Sequence, residues 1–409
     1  MSKKMLLISY FAPPILNAES ILVAKTLKFL SREYAVDMLT VGKESDFKED
    51  QFLVEEMGPA VNVIRAANPK PSSRVLRKVY REAMARLTAI DNPIWMREAK
   101  RAMANLKGDY DVLYSRSQPG ASHVLALEAK QRWGIPWVAQ FSDPWGHNPY
   151  HPLHGKTKAV VEQYERQVIE QADHLIFPTL EMRDLYANVY KSAGVIERAT
   201  VLPHHFDAEL YRGNAPQRSD GTIVMSYIGD FYGLRSPAPL IKGLTILQKH
   251  RPDLVKRLEL QVVGNVERSF HGLLEDAQQQ LGLRVNRVGQ VPFRRSLELM
   301  AESDLLLLVD APSDVNLFLS SKLIDYLGAY RPILGITSTK GTAGRLLNEY
   351  GWQVHHPEDT AAIAEGLEAY LTGLPQLQEQ ARQMEIDRFR SESVVAELVR
   401  ICQRIQRGQ

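Results

Sequence analysis

The stretch FLSSKLIDYLGAYRPILGI, residues 318–336, sets two serines, a lysine and one carboxylate between runs of Leu and Ile. With Ser321 as the cap of a short helix, Lys322 is its first residue and Asp325 lies four after the cap. A capping box needs its acid three after the cap, so Asp325 fits that role poorly. Positions i and i+4 share a helix face, which turns Ser321 and Asp325 into the same space. The free amides and positive dipole end of such a helix suit a phosphate, and Lys322 adds a full charge. Asp325 can accept bonds from two vicinal sugar hydroxyls. The plainer alternative is a capped helix with a Lys322–Asp325 surface pair, worth roughly a few tenths of a kcal/mol. Apolar flanks place the helix at a buried sheet edge and favour the first reading.

A second cluster is FSDPWGHNPYHPLHG, residues 141–155. Asp143 follows an expected strand and precedes Pro144, at a turn on the strand's C-terminal edge. A local Asx-turn is as good an account as a contact with substrate. Trp145 is either a wall for a sugar ring or core. His147, His151 and His154 have a spacing that suits a metal on a helix, but Pro149 and Pro152 break a helix there. A loop for substrate is preferred to a zinc site. Asp109 and Asp111 have the D-x-D spacing of manganese sites, yet they lead into a strand and read as a helix-to-strand turn. No P-loop, H-E-x-x-H or G-x-S-x-G occurs.

Positioning such groups needs a scaffold. Strands are expected at residues 4–10, 35–41, 61–65, 111–115, 136–141, 174–178 and 199–202, then at 222–228, 258–264, 284–288, 304–309 and 332–336. Continuous apolar strands alternating with helices indicate parallel sheets covered on both faces. Right-handed crossovers then give two doubly wound α/β domains, with ligands at the C-terminal strand edges. The seam falls at about residues 205–220, a polar and turn-rich stretch.

A chain of 409 residues with a formal charge of +2 does not suit a general nucleic-acid binder. Its one cysteine, Cys402, excludes an internal disulfide and fits a reducing compartment. The opening MSKKMLLISYFAPP has a short apolar run and no small-residue cleavage site, so it is not read as a signal peptide. A cytoplasmic protein is expected. Residues 65–107 hold eleven Lys or Arg against three acids, threaded by Val75, Leu76, Val79, Tyr80, Met84 and Leu87. That pattern is equally a membrane-surface helix or a solvated helix of its own domain. The first would place the protein at the inner face of the plasma membrane.

SSKLIDYLGAYRPILGI resembles the donor-site helix of retaining GT-B glycosyltransferases of family 4, whose pattern is S-K-x-x-E-Y-x-A-x-x-x-P-I-L. LLISYFAPP, VLYSRSQPGASHVLAL and IPWVAQFSDPWG are similar to its N-terminal motifs, the last to its D-P-W variant. VLPHHFD stands where the family links its domains. YIGDFYGLRSPAPLIKGL, LQVVGN and VGQVPFRRSLELMAESDLLLL follow in the family's order. The resemblance implies a GT-B fold, two Rossmann-like domains facing across a cleft. Residues 1–205 would form the acceptor-side domain and 206–385 the nucleotide-sugar domain, with the tail from about 386 to 409 packing back on the first. It implies transfer of a sugar from a nucleotide diphosphate sugar to a glycan or lipid-linked hydroxyl acceptor, with retention, in cell-surface glycan synthesis. Neither metal nor cofactor is expected. Arg235, Lys322 and the helix amides would neutralise the departing diphosphate. Gly229, Ser320, Ser321 and Asp325 would hold the donor, and backbone near Val291 the base. Asp143 would orient the reacting sugar or acceptor, with Asn17, Trp145 and His147 on the acceptor side.

The chain departs from the pattern in places. Leu317 stands where the family has a Glu eight residues ahead of the helix carboxylate, and that carboxylate is Asp rather than Glu. Asp230 follows Gly229 where many members place an Arg. The first loop reads Asn17-Ala18-Glu19-Ser20 instead of a glycine-rich run. Two other classes stay open: a nucleotide-sugar epimerase of the same fold, and a non-catalytic nucleotide-sugar binder.

Overall fold

The structure, a computed structural model, describes residues 3–408 except 44–45, 72, 74, 77–78, 81–82, 84–90, 150–151 and 212–219. Two compact units emerge, Met1–His204 with Ser391–Gln409, and His205–Arg390. In the first, β1 (Lys3–Ser9), β2 (Tyr34–Val41), β3 (Val61–Ala66), β4 (Val112–Ser117), β5 (Trp137–Phe141), β6 (His174–Phe177) and β7 (Ala199–Val201) form one sheet. Its order is β3-β2-β1-β4-β5-β6-β7, and its neighbours are parallel. In the second, β8 (Ile223–Ile228), β9 (Leu258–Val263), β10 (Arg284–Arg287), β11 (Leu305–Val309), β12 (Ile333–Ile336) and β13 (Val354–His355) pair in parallel as β10-β9-β8-β11-β12-β13. Strand order reverses between β1 and β4 and again between β8 and β11, the places where open α/β sheets bind ligands.

The expected strands form within one or two residues of their limits, most of them continuous apolar runs, whereas β10, Arg-Val-Asn-Arg, is mostly exposed. Every residue of β11, Leu-Leu-Leu-Leu-Val, is buried. Only β13 was not foreseen, since two residues carry no pattern. The helix Ser391–Gln406 packs on the helix Ala18–Leu30 of the first unit, burying Val394, Leu398 and Cys402. Burial pushes the Cys402 thiol up to about 12, which leaves it inert.

One polar device recurs at the strand starts. Asp111, Asp173 and Asp304 each lie just before a strand and accept a bond from the first amides of the neighbour. The partners are the amides of Lys4 (2.7 Å), Trp137 (2.7 Å) and Val224 (2.8 Å). The Asp amides in turn donate to the carbonyls of those same three residues, at 2.9 Å each. These exchanges pin strand register at the N-terminal edge, far from the edge where a ligand would sit. They also account for the D-x-D spacing, because Asp109 bonds the Lys4 amine at 2.5 Å while Asp111 holds its amide.

Asp304→Ala leaves the Val224 amide without that acceptor, so stability should fall by roughly 1–3 kcal/mol in denaturant unfolding. Asp304→Asn keeps an acceptor oxygen and should lose less than half as much. Equal losses would show that charge, not the bond, is what matters.

Candidate active site

In the second unit, β8 ends at Ile228 and the chain turns at Gly229 with φ +149°, a conformation that L side chains rarely adopt. A Cβ there would lie 2.9 Å from the Lys322 amine. Gly229 therefore leaves its space to Lys322. The amine sits 4.5 Å from the centre of the Tyr227 ring and 3.1 Å from its hydroxyl. Tyr227 is stacked on Phe231, with centroids 3.9 Å apart, and donates to the Asp230 carbonyl. Burial first, and then the charge of Arg235, lower the Lys322 pKa to about 7, against the weaker opposing pull of Asp310 and Asp230. Arg235 lies 3.4 Å from the buried Asp310 carboxylate, with its guanidinium carbon 5.4 Å from the centre of the Tyr232 ring. Asp230 is occupied by the Asn265 amide at 2.7 Å and its side chain at 3.2 Å. Lys322 thus sits beside Gly229 at the β8/β11 reversal point, with the charge of Arg235 acting on its amine.

The first unit assembles a different network at the end of β4. Glu19, in the opening turn of the helix Ala18–Leu30, reaches Arg116 at 2.7 Å and the Ser142 hydroxyl at 2.7 Å. Arg116 is only 2% exposed, and its other contact is the Tyr114 hydroxyl at 3.0 Å, which in turn bonds Gln140. Asp143, next to Ser142, has its pKa pushed up to about 6 by burial and by the charge of Glu19. Behind this loop, Glu165 is fully buried and accepts four bonds. These come from the Gly146 amide (2.9 Å), His147 (2.9 Å), Tyr186 (2.5 Å) and Tyr190 (2.6 Å). Burial alone would raise its pKa, yet the four donors hold it low.

Residues 24–204 match the family described as "Glycosyl transferase 4-like domain". The chain has the GT-B fold, and its first unit is similar to that glycosyl transferase 4-like family. Among its relatives is a D-inositol 3-phosphate glycosyltransferase of Nocardiopsis dassonvillei, 26% identical over 63% of this chain and 59% of that protein. Its counterpart in Stackebrandtia nassauensis is 25% identical over 44% of this chain and 41% of that protein. The chain spans about half the length of the curated relatives it matches. The crystal structure of Anabaena HepE in complex with UDP shares the fold at a TM-score of 0.68 and 15% identity, covering 98% of this chain and 100% of that one. That of WaaG, a glycosyltransferase involved in lipopolysaccharide biosynthesis, does so at 0.65 and 17%, covering 97% and 99%.

Several details of this site differ from expectation. Ser320, not Ser321, occupies the cap position, and its side chain makes no capping bond; Ser321 and Lys322 are the first two helical residues. No Lys322–Asp325 surface pair forms. Asp325 is buried and accepts from the Tyr211 hydroxyl at 2.8 Å, whereas Lys322 turns to Tyr227. The two share a helix but serve separate contacts. Val291 lies between β10 and the helix Phe293–Glu302, and no contact among the described residues joins it to the cation pair. Asn17 caps its helix by accepting from the Ser20 amide at 2.8 Å, a structural task. Trp145, read as either a wall for a sugar or core, is core: its ring fills the space over Gly120, where a Cβ would collide with it. His147 serves Glu165. His151 lies outside the described residues, as do Met84, Leu87 and the Lys or Arg at 74, 77, 78, 81 and 86. Among the described residues no group of three or more His, Cys, Asp or Glu could hold a metal ion, and no helix is long and apolar enough to cross a membrane.

Sequence reasoning missed Glu19, Arg116, Glu165 and Asp310. Glu19 meets Arg116 across 97 positions and Asp310 meets Arg235 across 75, so no local spacing signals either pair.

The lowered Lys322 pKa carries a sign. An anion bound at the amine restores its proton, so nucleotide diphosphate binding should take up protons above about pH 7. Affinity should then fall, by up to about tenfold per pH unit. Calorimetry in two buffers of different ionisation heat measures this; affinity flat from pH 6 to 9 would contradict it.

Proposed function

We propose that the chain moves a sugar from a nucleotide diphosphate sugar to a hydroxyl acceptor, with retention, in cell-surface glycan synthesis. One observation carries the reading: Lys322 sits beside Gly229 within reach of the charge of Arg235, and its amine is pushed towards neutrality without a carboxylate in ion-pair contact. A departing diphosphate supplies the missing negative charge, and preorganised cations in a poorly solvated site stabilise it strongly. Anabaena HepE, of the same fold, has been crystallised with UDP and with UDP-glucose, which supports a nucleoside diphosphate as the leaving group.

The roles follow from position. Lys322, Arg235 and the amides of the helix Ser321–Gly328 take the diphosphate, with Ser320 and Ser321 at its entry. Asp325 and Tyr211 form a polar pair one turn on, suited to the ribose. The backbone beside Val291 takes the base. Asp143 takes a hydroxyl of the reacting sugar or of the acceptor, accepting from it as carboxylate above about pH 6 and donating below. No metal is needed, since two cations already balance the charge. The acceptor is a glycan or a lipid-linked glycan. Val75, Leu76 and Val79, 72%, 59% and 58% exposed within the basic stretch 65–107, would rest on an anionic lipid surface at the inner face of the membrane.

Activity should survive EDTA. Loss of turnover on chelation, restored by manganese, would sink the metal-free reading. Replacing Lys322 or Arg235 with Met should weaken UDP binding at least about tenfold, as loss of a charge-assisted contact does. Asp143→Ala should leave that affinity intact and slow transfer instead. UDP release from UDP-sugars by the wild-type chain, followed beside binding, separates the cases. A new sugar isomer instead of release would make the protein an epimerase.

A further inference from the structure

Asp310 follows Val309 at the end of β11, beside β8 where strand order reverses. It is 5% exposed. A carboxylate this deep persists only where fixed donors and cations replace its lost hydration. One oxygen accepts from the Thr337 hydroxyl at 3.0 Å and the Asn316 side chain at 3.3 Å. Its amide bonds the Ile336 carbonyl at 3.1 Å. Asn316 is itself tied down: its amide donates to Lys340 at 3.1 Å, its carbonyl accepts from Thr342 at 2.8 Å, and its side chain holds the Phe318 amide at 2.9 Å. The carboxylate is therefore rigidly placed by three segments.

The other oxygen lies 3.4 Å from Arg235. Charge-assisted pairs usually close to roughly 2.7–2.9 Å, so Arg235 is biased in direction without being locked. The charged and titratable groups around the neighbouring Lys322 amine are Arg235, Asp310, Asp230 and Tyr227. Asp230 is spent on Asn265. That makes Asp310 the fixed anion shared by both cations.

We propose that Asp310 is a positioning residue for the donor diphosphate, holding Arg235 beside the Lys322 amine and serving as the negative neighbour of the Arg235–Lys322 pair. This rests on the donor-site reading above. Asp310 does not touch the ligand; it acts through the two cations.

The test is calorimetric titration of the full chain with inorganic pyrophosphate and with UDP at pH 6, 7 and 8, in two buffers of different ionisation heat. Asp310→Asn should weaken both ligands roughly tenfold at pH 6 and more at pH 8, because Lys322 loses its proton sooner. Proton uptake on binding should move to lower pH. Thr337→Val removes one fastening but keeps the charge; it should cost a smaller, pH-independent factor, and it carries the test if Asp310→Asn does not fold. Binding by Asp310→Asn that is unchanged or tighter, or a loss equal at every pH, overturns the proposal, as does wild-type affinity in Thr337→Val. If the wild-type chain binds neither pyrophosphate nor UDP, the donor-site reading itself has failed. Wild-type binding beside an indifferent variant refutes the role of Asp310 alone.

Discussion

Two like charges brought close together in a poorly solvated place repel, and Arg235 and the Lys322 amine beside Gly229 do so. Much of the second unit's upper edge is arranged to tolerate that repulsion. Gly229 leaves room, the Tyr227 ring offers its negative face, Phe231 backs that ring, and Asp310 supplies an anion held at a fixed distance. Gly264 shows how tight this is: with φ +134°, any Cβ there would run into the Gly229 carbonyl. Burial first, and the charge of Arg235 second, disfavour the charged amine, and the Lys322 pKa is lowered accordingly. Sites that keep such strain usually do so for function.

The first unit solves the opposite problem, buried carboxylates. Glu19 and Glu165 are each surrounded by donors drawn from distant segments, and both brace the loop after β5 that carries Asp143. Removing one partner of a buried charge costs roughly 3–5 kcal/mol, because the other is left uncompensated. The loop is thus stiff at its base, with Ser142 fixed on one side and Gly146 and His147 on the other. Asp143 is left between them, its pKa raised by burial and by the charge of Glu19.

Most of the fold could be read from the sequence, because parallel strands buried on both faces leave an unmistakable apolar run. β11 and β12 show this well, while β13, two residues long, leaves none. Gly229, Arg235 and Lys322 were also visible, as a glycine after a strand and cations beside it. The register of the donor helix was misjudged by one residue, since Ser320 and Ser321 are equivalent by type and only the backbone shows which one caps. The partner of Asp325 was not visible at all. That partner, the hydroxyl of Tyr211, stands 114 positions away, and sequence spacing cannot report such a meeting. Trp145 shows the same limit, for nothing local reveals that Gly120 receives its ring.

The paired exchanges made by Asp111, Asp173 and Asp304 divide labour along each strand. Register is locked at the N-terminal ends, where an aspartate and its neighbour trade two bonds, so the opposite ends are relieved of that duty. Loops after β1, β4, β5, β8 and β11 are then free to drift in composition without letting the strands slip. Such a scaffold is easy to re-specialise. A change of substrate demands new residues at one rim only, and it leaves untouched the fastenings that keep the sheet in order.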